Sequence, residues 1–172
     1  MNRLTKRNYI AALFNTALII FIFLLHYTRL FDISVFRLSP MLLLPFLVSF
    51  AIFTEEMSAT FTGAIIGIFC DSNTSGSSCF HTIFFFLAGF TVSLMMHYLL
   101  NNNIRSAIVL SVIVSSVYYV LRWAFFHAFT GSENSVEYLM KNAFPSILYT
   151  AVFIFPFYYL QRLIYRFKMK GR

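Results

Sequence analysis

The chain has 172 residues, of which 59% are hydrophobic and only 11% are charged, and its mean hydropathy is +0.76. A soluble domain carries about 25% charged residues and at this size buries only about 70% of its surface. This much apolar surface excludes an ordinary water-soluble fold, so we expect an integral membrane protein. The net charge of +7 indicates topology, as argued below, and gives no reason to invoke a nucleic-acid partner.

Apolar runs close to the length that crosses a bilayer, about 17–25 residues, predict an all-α, polytopic membrane protein. We expect a compact bundle of six transmembrane helices that forms a single domain over residues 1–172. The longest segment between spans, 130–142, has 13 residues and is too short to fold alone. The predicted spans are 9–26, 38–53, 57–70, 80–100, 104–129 and 143–163.

The first span follows the basic sequence MNRLTKR, which resembles the start of a signal peptide. Its apolar run is longer than the hydrophobic region of a cleaved signal, and no small-x-small cleavage site follows. We therefore expect a retained first helix. Spans two and three are separated only by Thr54, Glu55 and Glu56, which predicts a tight hairpin with Thr54 capping the third helix. Pro45 and Pro156 fall inside predicted helices and are expected to kink them.

The distribution of Lys and Arg predicts that both termini are cytoplasmic, because cytoplasmic loops carry an excess of these residues. With that orientation three cations lie outside, at Arg29, Arg37 and Lys141. Nine lie inside: Arg3, Lys6, Arg7, Arg105, Arg162, Arg166, Lys168, Lys170 and Arg172.

The third span carries small residues at intervals of four, Ala59, Gly63 and Gly67, followed by Asp71. At about 100° per residue these positions drift by only about 40° per step, so they form one narrow face. A G-x-x-x-G pair lets a second helix backbone approach closely. Such pairs are common in membrane helices, and the simplest interpretation is packing within the chain.

Asp71 has two interpretations. It opens the turn DSNTSG, where it satisfies freed backbone groups, or it forms an ion pair with Arg122 of the fifth span. Span counting places Arg122 about 27 Å from Ile104, near the outer face and beside Trp123. The alternative for Arg122 is that its side chain reaches the outer headgroups.

Three histidines, His26, His81 and His127, lie near the outer ends of different predicted helices and form a candidate polar site at that face. Their sequence spacing is not that of a metal site, so we expect no metal. Cys70 and Cys79 flank the third loop. They are expected to be free thiols, although a disulfide is an alternative if the loop faces an oxidising compartment.

Enzyme motifs are missing from the sequence, which has no HExxH, no GxSxG and no phosphate-binding loop. The segment EEMSAT resembles the EExxxR signature of membrane prenyl-endopeptidases, but Thr60 stands where that signature has its cation. We therefore expect a protein that is not an enzyme, with no catalytic residues and no cofactor.

The segment LSPMLLLPFLVSFAIFTEEMSATFTGAIIGIFCDSNTSG resembles the MreD rod-shape-determining family. That family has a proline opening an apolar helix, then a brief turn, G-x-x-x-G-x-x-x-D and a glycine-bearing loop. The matching residues are Pro40, Gly63, Gly67, Asp71 and Gly76. The resemblance covers about 40 residues by motif and the whole chain by layout, but the second glycine that the family often has before the fourth helix is missing from SSCFH.

The resemblance implies a non-enzymatic component of the bacterial cell-elongation machinery (the elongasome), located in the cytoplasmic membrane and acting in the regulation of cell shape. Its implied partner is an MreC-like bitopic membrane protein. Through that protein it would act with a RodA-type glycosyltransferase, a penicillin-binding transpeptidase and the MreB filament in lateral wall peptidoglycan synthesis.

The alternative is a substrate-binding subunit of an energy-coupling-factor vitamin transporter, a fold to which MreD-like proteins are similar. Such subunits usually present an Ala-x-x-x-Ala face on the first helix, and here only Ala12 and Thr16 have that spacing.

Overall fold

The computed structural model describes residues 3–27, 41–72, 79–99, 102–125 and 144–169, with the side chains of the first helix described from Ile10 to Leu24. Within these ranges all regular secondary structure is helical, which confirms the all-α prediction. The helices are α1 (Arg3–Tyr27), α2 (Leu43–Ile52), α3 (Glu56–Ser72), α4 (Phe80–Tyr98), α5 (Ile104–Trp123), α6 (Phe144–Val152) and α7 (Ile154–Met169).

Each predicted span corresponds to helical structure, but the sixth is divided at Phe153 into α6 and α7. Pro156 explains the division, because it has no N–H to bond the Val152 carbonyl and its ring crowds that carbonyl. Pro156 is instead the third residue of α7, where N–H groups have no partner within the helix. The expected interruption near Pro156 is therefore confirmed.

Pro45 acts differently from the expectation. The described helix begins at Leu43, so Pro45 lies in its first turn, and the predicted kink inside a longer helix is wrong. The Thr54 hydroxyl, expected to cap α3, donates to the Phe50 carbonyl of α2.

Helix α2 is the central element. All ten of its residues are buried, as expected for a helix that is hydrophobic on every side. At about 1.5 Å per residue it is about 15 Å long, half of the roughly 30 Å hydrocarbon thickness. The described part of the second predicted span is therefore a core helix, too short to cross a bilayer.

Two clusters of buried side chains lie along α2. The first half of α2 packs with Ile66, Phe84, Phe85 and Tyr118. The second half of α2 contributes Val48, Ala51 and Ile52 to another cluster. The other buried members of that cluster are Ala59, Val92, Met96, Ala107, Leu110, Ile154 and Tyr158. Because α2 belongs to both clusters, it connects the helices that surround it.

Two ends of the bundle are distinguished by their contacts. At the turn end, which contains residues 53–55, Ser93 of α4 donates a hydrogen bond of 2.8 Å to the Thr54 carbonyl. At the opposite end, called the Asp71 end, the rings of Phe80 and Phe125 lie 5.4 Å apart. At the turn end the Phe53 ring also lies 5.6 Å from that of Tyr165 in α7. The N-termini of α3 and α5 and the C-termini of α4 and α7 are therefore at the turn end.

By length and composition, two described helices, α4 and α5, can cross a membrane, while the described segments Ile10–Leu24 and Leu43–Ile52 are shorter apolar helices. This agrees with membrane association. Large apolar side chains are exposed on several helices, including Leu13 and Phe21 of α1, Phe61 of α3, Ile83 of α4 and Ile113 of α5.

Candidate functional site

The glycine face of α3 lies directly against α4. A Cβ at Gly63 would lie 2.2 Å from the Phe85 carbonyl oxygen, and one at Gly67 would lie 2.4 Å from the Thr82 Cα. Gly89 of α4 is in equally close contact with α3, since a Cβ added there would lie 2.5 Å from the Ala59 carbonyl oxygen. The two helices therefore meet backbone to backbone, and no side chain other than hydrogen fits at these glycines.

Asp71 continues this face and binds the first turn of α4. Its Oδ2 accepts hydrogen bonds from the Thr82 backbone N–H at 2.8 Å and the Thr82 hydroxyl at 2.6 Å. Its Oδ1 accepts the His81 backbone N–H at 3.1 Å and lies 2.7 Å from His81 Nδ1. Both carboxylate oxygens are thus engaged by a single helix terminus.

This geometry makes Asp71 the N-terminal cap of α4, supplied from a different helix. His81 and Thr82 are the second and third residues of α4, whose N–H groups have no partner within the helix. Cys79, at the position that normally caps, makes no side-chain capping hydrogen bond. A carboxylate here also interacts favourably with the positive end of the helix dipole.

The four-residue spacing explains why the glycines and the aspartate occur together. Asp71 is one turn beyond Gly67 on the same face, and an aspartate side chain is short. It reaches the α4 backbone because Gly63 and Gly67 hold the two helices in contact. The residues of the α3 motif therefore act together. The glycines set the distance between α3 and α4, and the Asp71 carboxylate caps the N-terminus of α4.

His81 is buried beneath this cap. Its ring lies 5.4 Å from that of Phe80 and 6.1 Å from that of Tyr118, and it forms an ion pair with Asp71 when protonated. The side chain of His26 and the whole of His127, Pro40 and Gly76 lie outside the described residues. The three-histidine site therefore stays a prediction.

Arg122 is an exposed residue in the last turn of α5. Among the described residues, Asp71 pairs with His81. The pairing between Asp71 and Arg122 stays a prediction from the sequence. Cys70 is buried and Cys79 is exposed, and neither forms a disulfide bond within the described residues. Within the described ranges, no group of three or more His, Cys, Asp or Glu side chains is placed to hold a metal ion.

Sequence reasoning missed a set of buried hydroxyls on α5. Among the described residues, the hydroxyl oxygens of Ser111 and Ser115 have no hydrogen-bond partner. Their spacing of four residues places them along one side of the helix. Polar residues at helical spacing within an apolar span are the signal that would have found them.

The structure also contains a cavity that was not predicted from the sequence. The cavity has a volume of about 420 Å³ and lies near the turn end, between α1, the α2–α3 turn, α3 and α7. Asn15 of α1 and Gln161 of α7 meet in its wall, where Gln161 Nε2 donates to Asn15 Oδ1 at 2.9 Å. No local pattern in the sequence predicts this site, because its walls come from four separate segments.

The α3–α4 junction holds two helices together, and the cavity offers a partly polar space between helices. Neither arrangement by itself identifies the protein's role. Comparisons of the chain with protein-family models, with curated proteins and with solved structures found no match.

Proposed function

We propose that this protein is a non-enzymatic membrane scaffold of the bacterial cell-elongation machinery. In this proposal it resembles MreD, spans the cytoplasmic membrane six times and acts with an MreC-like bitopic protein. Its role is then the regulation of cell shape and lateral wall synthesis through the RodA-type glycosyltransferase, the penicillin-binding transpeptidase and the MreB filament.

The observation that carries the proposal is the position of the family-type motif. Gly63, Gly67 and Asp71, on which the resemblance depends, are the residues that join α3 to α4. A scaffold must present a surface of fixed shape, and backbone contact with a capped terminus provides a rigid helix pair. The outer side of this pair exposes apolar side chains, which include Phe61 and Ile83, to lipid or to a membrane partner.

Six membrane segments are supported by helix direction. The contacts at the two ends of the bundle indicate that successive helices run in alternate directions, with α6 and α7 forming one interrupted segment. The described cations Arg105, Arg162, Arg166 and Lys168 then belong to the turn-end halves of α5 and α7. This asymmetry favours a cytoplasmic turn end. The short α2 would enter the bilayer enclosed by other helices, which removes the need for it to match the bilayer thickness.

The cavity gives some support to the alternative, a vitamin-transporter subunit. Such a subunit would bind its ligand from the outside, however, and the cavity lies at the turn end, which is cytoplasmic in the proposed topology. Ala12 and Thr16, the two positions on α1 with the spacing of a transporter face, line this cavity.

Copurification separates the two functions. A tagged full-length chain, expressed at its native level in a rod-shaped host, should capture an MreC-like protein, and depletion should round the cells. Capture of a transporter ATPase module instead would support the alternative. Normal rods after complete depletion would contradict the scaffold.

Cysteine labelling tests the topology with a built-in control. Cys79 is exposed at the Asp71 end and Cys70 is buried, so a membrane-impermeant maleimide should label Cys79 in intact cells. A cysteine at the exposed Asn102, placed in a Cys79→Ser background, should be labelled only after the cells are opened. Labelling of that Asn102→Cys variant from outside would reverse the assignment.

A further inference from the structure

The cavity near the turn end is lined by residues of α1, α3 and α7 and of the α2–α3 turn. At the other end of α1 and α3 the rings of Phe23 and Phe69 lie 5.5 Å apart. Toward the turn end the same two helices both line a space of about 420 Å³. That volume lies within the range of about 300–1,000 Å³ that is usual for ligand sites.

The cavity wall combines hydrogen-bonding groups with apolar surface. The single hydrogen bond described between Asn15 and Gln161 uses one group of each amide, which leaves Asn15 Nδ2 and Gln161 Oε1 for a ligand. The hydroxyls of Ser58 and Thr62 add polar groups from α3. The full lining is Ala11, Ala12, Asn15, Thr16, Ile19, Phe50, Phe53, Thr54, Ser58, Phe61, Thr62, Gln161, Ile164, Tyr165 and Lys168.

Among the described residues, one charged side chain lines the cavity. It is Lys168, which is exposed, so it can reach a ligand at the mouth. Arg162 and Arg166 on the same helix, and Glu55 and Glu56 at the start of α3, lie outside the lining. A ligand with a negative charge at the end that meets Lys168 is therefore favoured over one with a positive charge there.

We propose that this cavity binds an anionic phospholipid. The phosphate would lie at the mouth beside Lys168, and the glycerol and ester oxygens would lie near Asn15 and Gln161. An acyl chain would continue along the exposed apolar surface of Phe61 and Ile65 on α3. Basic pockets between membrane helices on the cytoplasmic side bind anionic headgroups by this chemistry.

The proposal goes beyond the scaffold function and does not depend on it. It requires only that the turn end lies at a bilayer surface, where lipids reach the opening between α1 and α3 from the side.

Native mass spectrometry of the purified full-length chain tests the proposal. The protein in detergent is mixed with dioleoylphosphatidylglycerol, with dioleoylphosphatidylcholine or with inorganic phosphate alone. We expect one phosphatidylglycerol to be retained per chain, with weaker retention of phosphatidylcholine and none of phosphate. Equal retention of the two lipids would overturn the proposal, and binding of phosphate alone would assign the site to a soluble anion.

Two matched pairs of variants place the lipid. Lys168→Gln should weaken phosphatidylglycerol retention about fivefold, the loss expected for one cation near an anionic group. Arg166→Gln removes the same charge from the same helix outside the cavity lining and should leave retention unchanged. If both variants weaken retention equally, the binding is diffuse electrostatic attraction and the cavity is not the site.

Ala12→Phe fills the cavity from its α1 wall and should abolish retention, while Leu13→Phe adds an aromatic ring at the neighbouring position, which is exposed and outside the lining. Unchanged thermal unfolding of both variants verifies that the fold is kept. Full lipid retention by a folded Ala12→Phe variant would contradict the proposed location.

Discussion

Helices α3 and α5 both carry small residues four positions apart in an apolar sequence. The two helices differ in whether the polar groups on that face are hydrogen-bonded. On α3, Gly63 and Gly67 bring the backbone of α4 into contact, and the Asp71 carboxylate is engaged by four α4 groups. On α5, Ser111 and Ser115 are buried, and their hydroxyls have no hydrogen-bond partner within the part of the chain that the structure describes.

The difference teaches that residue size alone does not make a tight helix interface. A glycine removes the side chain, so that the neighbouring backbone can approach and a nearby carboxylate can reach its N–H groups. A serine keeps a hydroxyl that must be satisfied, and a buried one without a partner costs about 1–3 kcal/mol. We infer that α3–α4 is the most strongly specified helix pair, whereas α5 retains polar groups that ordered water can satisfy.

The largest expected effect is that of Gly67→Leu. The Cβ would overlap the Thr82 backbone, so α3 and α4 must separate and the Asp71 cap is lost with the contact. We expect the free energy of unfolding to fall by more than about 3 kcal/mol, beyond the usual range for overpacked sites. Thermal unfolding in detergent measures it. Thr91→Leu, on the exposed side of α4, is the control, and equal stability of the two variants would refute the close contact.

Removing the cap is the next largest change. Asp71→Ala leaves the first N–H groups of α4 without an acceptor, and we expect a loss of about 1.5–3 kcal/mol, the range for hydrogen bonds to a charged group. Cys79→Asp in the same chain places a carboxylate at the capping position of α4 and should restore part of the stability. Unchanged unfolding of Asp71→Ala would show that the cap contributes little.

Double-mutant cycles then identify the partner of Asp71. Asp71→Asn and Thr82→Val should be non-additive, because they remove the two sides of the same contact. The cycle with Arg122→Leu tests the pairing predicted from the sequence. Coupling there with additivity at Thr82 would mean that the carboxylate turns away from α4.

A smaller effect is expected at the opposite end of α4. Ser93→Ala removes the hydrogen bond to the Thr54 carbonyl and should cost about 1 kcal/mol. Ser116 is the matched control, because its hydroxyl bonds the Val112 carbonyl within its own helix. Ser116→Ala should change the unfolding temperature less than Ser93→Ala, and the reverse order would argue against an anchor at the turn end.

The smallest effect, and the one of opposite sign, is expected on α5. Ser115→Ala removes a buried hydroxyl that has no partner among the described residues, so stability should stay unchanged or rise by up to about 1 kcal/mol. The same unfolding measurement checks it beside Asp71→Ala. A loss as large as that of Asp71→Ala would mean that the Ser115 hydroxyl is satisfied, for example by an internal water.

Much of the helix pattern was predictable from local sequence. The apolar runs located every helix that the structure describes, and Pro156 located the interruption before α7, because a proline within a helix removes a backbone hydrogen bond. The length of α2 was not predictable in the same way. A run from Pro40 to Phe53 is apolar except for Ser49, and such a run suits both a membrane span and a core helix until its neighbours are known.

The sequence by itself determined the helical class of this protein and the single face shared by Gly63, Gly67 and Asp71, since helix geometry converts four-residue spacing into a common side. Only the tertiary structure decided what that face meets. The partners of Asp71 belong to α4, and the cavity is bordered by α1, α3 and α7. Contacts between segments distant in the chain depend on how whole helices pack, and residue spacing within one helix carries no information about that arrangement.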